Sequence, residues 1–180
     1  MSASTPVKHV TEEEYLHNPE FEHCEYLDGL VVPLNVGNKS HSIIQVRCAF
    51  AFQAYVRSHP GYYCATELHC RLIVNGQPHY RLPDVAVVAG DDPSAAPYLH
   101  RSPDLVVEIR SPEDAITSLF SKAAEYFANG ARMVWIILPE EQSVIVLMRG
   151  EQPHTFTAGK SIDVSAVLPG LSIEVDELFR

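Results

Sequence analysis

Asp104-Leu-Val-Val-Glu-Ile-Arg110 reads as a buried β-strand with an acid set inside it. Side chains alternate along a strand, so Asp104, Val106, Glu108 and Arg110 share one face, and Leu105, Val107 and Ile109 share the other. A second run, Arg81-Leu-Pro-Asp-Val-Ala-Val-Val88, places Asp84 at the head of another apolar strand. An unpaired carboxylate is costly to bury, so such acids are normally matched to a cation. Two of them on neighbouring strands make a plausible site for a hard divalent ion such as magnesium.

Working outward, Met133-Val-Trp-Ile-Ile-Leu138 is a short apolar strand suited to a sheet centre. Between it and Arg110, a helix is expected from somewhere in 112–118 to about Asn129, with Gly130 at its C′ position. A hairpin follows at Glu140-Glu-Gln-Ser into Val144–Met148, with Thr155–Thr157 as an edge strand. The tail around Leu168-Pro-Gly-Leu-Ser-Ile is expected to return to the surface. Upstream, Thr11 and Glu14 form a capping box for a short helix. Asp28-Gly29 and Asn75-Gly76 are turn signals between short strands. Asn38 to about His59 is a helix candidate, with Ile43, Val46, Phe50 and Ala54 at helical spacing and Pro60-Gly61 as its stop. The order of elements predicts one α/β domain with a mixed sheet over residues 11–180, preceded by a loose arm at 1–10.

The 180 residues suit a single domain with a sizeable core. No apolar run is long enough to span a bilayer, and the first residues lack the apolar core of a secretory signal. A cytoplasmic location and reduced thiols at Cys24, Cys48, Cys64 and Cys70 are therefore expected. The net charge of −10 argues against a generic coater of nucleic acid. That charge is carried by the two ends, because residues 39–132 hold nine basic and nine acidic side chains. A locally positive cleft in the middle is compatible with these counts.

Several ordered motifs carry a resemblance. They are Glu25-Tyr-Leu-Asp-Gly-Leu-Val, His41 at a helix start, Pro83-Asp84-Val, and Val107-Glu108-Ile-Arg-Ser111-Pro112. Lys122-x-x-x-Tyr126-x-x-x-Gly130, Val134-Trp135 and Leu168-Pro-Gly-Leu171 complete the set. Together they resemble the Uma-type restriction endonuclease family of the PD-(D/E)XK nuclease superfamily. The resemblance implies a restriction-endonuclease-like mixed sheet flanked by helices, and Mg2+- or Mn2+-dependent hydrolysis of DNA phosphodiesters. It also implies a site. Asp84 and Glu108 would be direct metal ligands, with the Ile109 carbonyl as a third and Glu25 completing the shell or acting through water. The superfamily motif Glu-x-Lys stands here as Glu108-Ile-Arg110. Arginine stays protonated and is a poor general base. The resemblance offers Lys122 on the following helix for the lysine role, because it matches the lysine of the family pattern, with Arg110 as the alternative for that role; Arg110 and His41 would be substrate contacts. Ser118 stands where many relatives carry an acid.

Plainer readings stand beside these. Asp84 could cap a strand after Pro83, and Glu108 could pair internally with Arg110 or Arg81. Lys122 could be a solvated helix lysine beside Glu125 or Tyr126. Glu25 could belong to the Asp28-Gly29 turn, and Ser111 reads as a helix N-cap. His23-Cys24 and His69-Cys70 lack the spacing of structural zinc ligands. Two function classes follow: a DNA endonuclease, and a nuclease-like scaffold acting as a binding module. A homodimer is expected because symmetric pairs are the commonest oligomers.

Overall fold

The computed structural model describes residues 9–34 and 37–180. Of the expected N-terminal arm, residues 1–8 lie outside the described residues. Val10, its last residue, is buried, donates its N–H to the Gly29 carbonyl and accepts from the Tyr26 hydroxyl.

The sheet that positions the two acids has six strands. In chain order they are β3 (Tyr62–Ala65), β6 (Val85–Ala89), β7 (Leu105–Ile109), β8 (Met133–Leu138), β9 (Ser143–Met148) and β10 (His154–Thr157). Their spatial order is β10-β9-β8-β7-β6-β3. Only the β7–β8 pair is parallel, joined through helix α3 (Ile116–Ala128), so the sheet is mixed as expected. Both faces are covered, which is why β7 and β8 read as near-continuous apolar runs. On one face Val107, Ile109, Trp135 and Ile137 pack with Ile44, Cys48 and Phe52 of helix α2 (Lys39–Val56). On the other, Val106, Val134 and Ile136 pack with Leu119, Ala123 and Tyr126 of α3.

A second sheet, ordered β2-β1-β5-β4, holds β1 (Cys24–Leu27), β2 (Leu30–Pro33), β4 (Cys70–Val74) and β5 (Gln77–Arg81). Its hairpins turn at Asp28-Gly29 and Asn75-Gly76, and all four residues have positive φ. That conformation selects Asn, Asp and Gly, so the sequence signals were local and sufficient. Helix α1 (Glu12–His17) opens with the expected capping box of Thr11 and Glu14.

The expected helix over α2 stands, and two other expectations, on the tail and on Ser111, are corrected. The stripe Ile43, Val46 and Phe50 is exposed, at 40%, 68% and 75%, while Ile44, Cys48, Phe52, Tyr55 and Val56 face the core. This helix is apolar on both sides, so spacing alone admitted two faces. The tail does not return to the surface. Strands β11 (Ser161–Asp163) and β12 (Ser172–Glu174) pair, and helix α4 (Val175–Phe179) follows. Val164, Val167, Leu168, Ile173, Val175 and Leu178 join the α2-side core. Ser111 does not cap α3, which begins after Ala115 without a side-chain cap; its N–H is held by Asp114 in a turn. Among the described residues no helix is long and apolar enough to cross a membrane.

Candidate active site

The antiparallel register of β6 and β7 pairs Val85 with Val107. One step further places Asp84 opposite Glu108. Asp84 Oδ2 accepts the Ile109 N–H at 2.6 Å, and its Oδ1 lies 3.1 Å from His41 Nε2. Gln45 Nε2 donates to the Asp84 carbonyl at 3.0 Å, so α2 fixes this residue twice. A Cβ on Gly37 would lie 2.5 Å from His41 Nδ1. Glycine there lets the imidazole stand against the chain entering α2.

Glu108 is buried, and α3 supplies its partners. The Tyr126 hydroxyl donates to Oε1 at 2.6 Å, and Lys122 Nζ lies 3.4 Å from Oε2. Lys122 and Tyr126 are four residues apart, so both point from α3 to the same strand. Lys122 Nζ also lies 2.9 Å from Glu25 Oε1 of β1, which ties the two sheets together. Glu25 Oε2 accepts from Arg81 Nη1 at 2.6 Å. Arg81 in turn grips both oxygens of Glu125, each at 2.8 Å, and His79 Nδ1 lies 3.3 Å from the same carboxylate. The result is one chain of ionisable side chains: His79, Glu125, Arg81, Glu25, Lys122 and Glu108.

Burial pushes the Glu108 carboxyl up; Lys122 opposes this, while the charges of Asp84 and Glu25 add to it. For Lys122, burial alone would favour the neutral amine, but Glu108 and Glu25 outweigh it and hold the ammonium. His41 is raised by its bond to Asp84. Burial pushes the Cys48 and Cys70 thiols up, so neither is a ready nucleophile.

The structure brings together Asp84, Ile109 and His41, and brings together Glu108, Lys122 and Glu25. Arg110 stands apart. Its Nη1 lies 3.4 Å from Glu141 and its Nε donates to the Asp114 carbonyl, so it does not neutralise Glu108. Glu25 belongs to this cluster rather than to its neighbouring turn. Sequence reasoning missed Glu125 and His79 as parts of the site, and missed Arg81 as the partner of Glu25. The only signal for Arg81 was its position in a strand without an adjacent acid. Glu125 sits one turn from Lys122, but its partner is 44 residues away.

The network has a pH signature. Burial works against the charge on Glu125, but the bonds from Arg81 and His79 prevail and hold its carboxyl below the ordinary 4.5. A depressed folded value stabilises the native state above about pH 4.5, and that contribution is lost as pH falls through the folded value. The midpoint of thermal unfolding is expected to drop below about pH 4.5. Glu125→Gln should flatten that acid limb in a pH series; an unchanged slope would remove Glu125 as its source.

Comparison with known proteins agrees with this architecture. A crystal structure described as a "putative nuclease belonging to DUF820", from Anabaena variabilis, superposes with a TM-score of 0.82 at 25% identity, covering 94% of this chain and 97% of that one. An uncharacterized protein of Synechocystis, slr1290, is 27% identical over 186 residues, spanning 99% of this chain and 96% of the relative. The family model Uma2, described as "Putative restriction endonuclease", matches residues 12–176. The chain belongs to the Uma2 family.

Proposed function

We propose that this protein is a divalent-metal-dependent endonuclease that hydrolyses DNA phosphodiesters at the Asp84–Glu108 pair. One observation carries the reading: Asp84, just before β6, stands in register with Glu108 of β7, and Lys122 reaches Glu108 from α3. Membership of a restriction endonuclease family and the match to a nuclease fold support it.

The residues suit a hard cation. Burial, together with the charges of Asp84 and Glu25, raises Glu108, and a bound divalent cation would offset that cost. Each carboxylate oxygen has one protein donor, and a carboxylate offers about four lone-pair sites, so acceptor capacity remains. Among the described residues no three His, Cys, Asp or Glu side chains converge as a metal cluster. Two carboxylates, the Ile109 carbonyl and solvent match magnesium, which keeps several waters and uses few protein ligands. Such an ion stabilises charge on the phosphate and lowers the pKa of a bound water.

The side chains then divide the work. Lys122 stays protonated, so it donates to a phosphate oxygen or orients the attacking water rather than removing a proton. Arg110, at the rim and 29% exposed, is free to exchange Glu141 for a DNA phosphate. His41 is committed to Asp84 and positions it. Tyr126 orients Glu108.

A second reading, a catalytically silent binding module, is favoured by the protein donor already present at every oxygen of the acid pair. Cleavage of supercoiled DNA with Mg2+ or Mn2+ separates the two. Lys122→Met is expected to lower the rate at least about 100-fold, and Arg110→Ala about 10-fold. Loss only in the Arg110 variant would move the cationic role to the strand. No cleavage by the folded wild type, with no thermal shift in Mn2+, would establish the binding module.

A further inference from the structure

We propose that the outward face of α2 is an interface for a second copy of this chain. Among the described residues, half of the exposed large apolar side chains lie on one stripe of this helix: Ile43, Val46 and Phe50. They are spaced by three and four residues, so they form a single ridge. Beside the ridge runs an open groove of about 820 Å³. Its apolar lining includes Ala51 and Ala54 on α2 and Leu171 and Ile173 opposite. One helix therefore offers both large knobs and a shallow floor made by small residues, which is what an isologous contact across a two-fold axis requires.

Charge identifies the occupant. Residues 39–56 contain Lys39 and Arg47 and no Asp or Glu. The far wall of the groove carries Glu174, Glu177 and Asp176, the last paired at 2.8 Å with Arg180 on the same wall. Arg47 on the helix side of the groove and Glu174 and Glu177 opposite complement each other when the surface meets its own copy. The acidic wall repels nucleic acid, and the apolar ridge gives phosphate no partner, so DNA does not fit this face. The inner side of the same helix carries His41 and Gln45 to Asp84, so such a dimer would brace both candidate sites from behind.

The test is the mass of the full chain by light scattering and sedimentation velocity, without DNA or metal, so it is independent of nuclease activity. The wild type is expected at twice the 20.0 kDa chain mass. Phe50→Asp and Val46→Asp, at exposed positions, should weaken association at least about 100-fold and leave circular dichroism unchanged. Arg47→Glu should dissociate the dimer, and adding Glu177→Arg should restore it. Phe120→Asp, on exposed apolar surface of α3, should leave the dimer intact. A monomeric wild type would overturn the proposal, as would a dimer that survives both Asp variants. A monomer whose DNA binding is lost in Phe50→Asp would assign this face to nucleic acid instead.

Discussion

Glu108→Gln is expected to leave the chain folded and DNA uncut, with the cleavage rate reduced by about 10³-fold or more. The substitution is close to isosteric, and its amide oxygen can still accept from the Tyr126 hydroxyl that now lies 2.6 Å from Oε1. Lys122 keeps Glu25 at 2.9 Å, so no buried ammonium is stranded. What disappears is the negative charge facing Asp84. Folding should tolerate that well, because burial and the charge of Asp84 already push the Glu108 carboxyl up. A raised folded value means that Glu108 favours the native state below about pH 4.5 and loses that contribution as pH rises toward neutrality. At neutral pH the Gln variant should therefore unfold at or above the wild-type temperature. Plasmid nicking and a thermal melt on the same sample separate chemistry from stability. Nicking retained within a few-fold would place the catalytic centre elsewhere; a collapsed melt would make Glu108 a structural acid.

Arg81→Met is expected to cost about 3–5 kcal/mol of folding stability. The Arg81 side chain is 8% exposed and makes three charge-assisted bonds of 2.6 to 2.8 Å to Glu25 and Glu125. Methionine fills much of its volume, so the loss reports charge rather than a cavity. Glu25 would keep only Lys122, and Glu125 only His79, among their ion partners. Leaving buried carboxylates undercompensated costs far more than the intact pair contributes. At roughly 2–4 °C per kcal/mol for a chain of this size, the melting midpoint should fall by about 10 °C. Urea unfolding at neutral pH gives the free energy directly. Adding Glu25→Gln and Glu125→Gln should recover much of the loss, because the stranded charges are then gone. A loss under about 1 kcal/mol would show that water solvates the cluster.

Arg81 also shows where reading along the chain stops. Its partners lie 56 and 44 residues away, on another strand and on α3. No local pattern encodes such pairs; packing two sheets and a helix around one point creates them. Lys122 is different. One turn before Tyr126 on the helix after β7, it was expected to reach back to the sheet, and it meets Glu108 there as well as Glu25 of β1. Arg110 lies far closer to Glu108 along the chain, with only Ile109 between them. Its main-chain N–H instead bonds to Ile137, and its side chain turns toward Glu141.

By itself the sequence determined whatever depends on neighbours: the alternation in β7, the paired turns of positive φ, the capping box, the C′ glycine, and an acid inside or at the head of each of two apolar strands. Only the tertiary structure decided which face of α2 is core. That helix is apolar on both sides, and the choice rests on which side the sheet covers. It also separated two acids of one strand segment. Asp104 accepts from the Ala89 N–H and pairs with Arg101 as a structural anchor, while Glu108, four residues on, meets Lys122. Alternation puts both on one face. Their roles diverge because different elements close over the two ends of the strand.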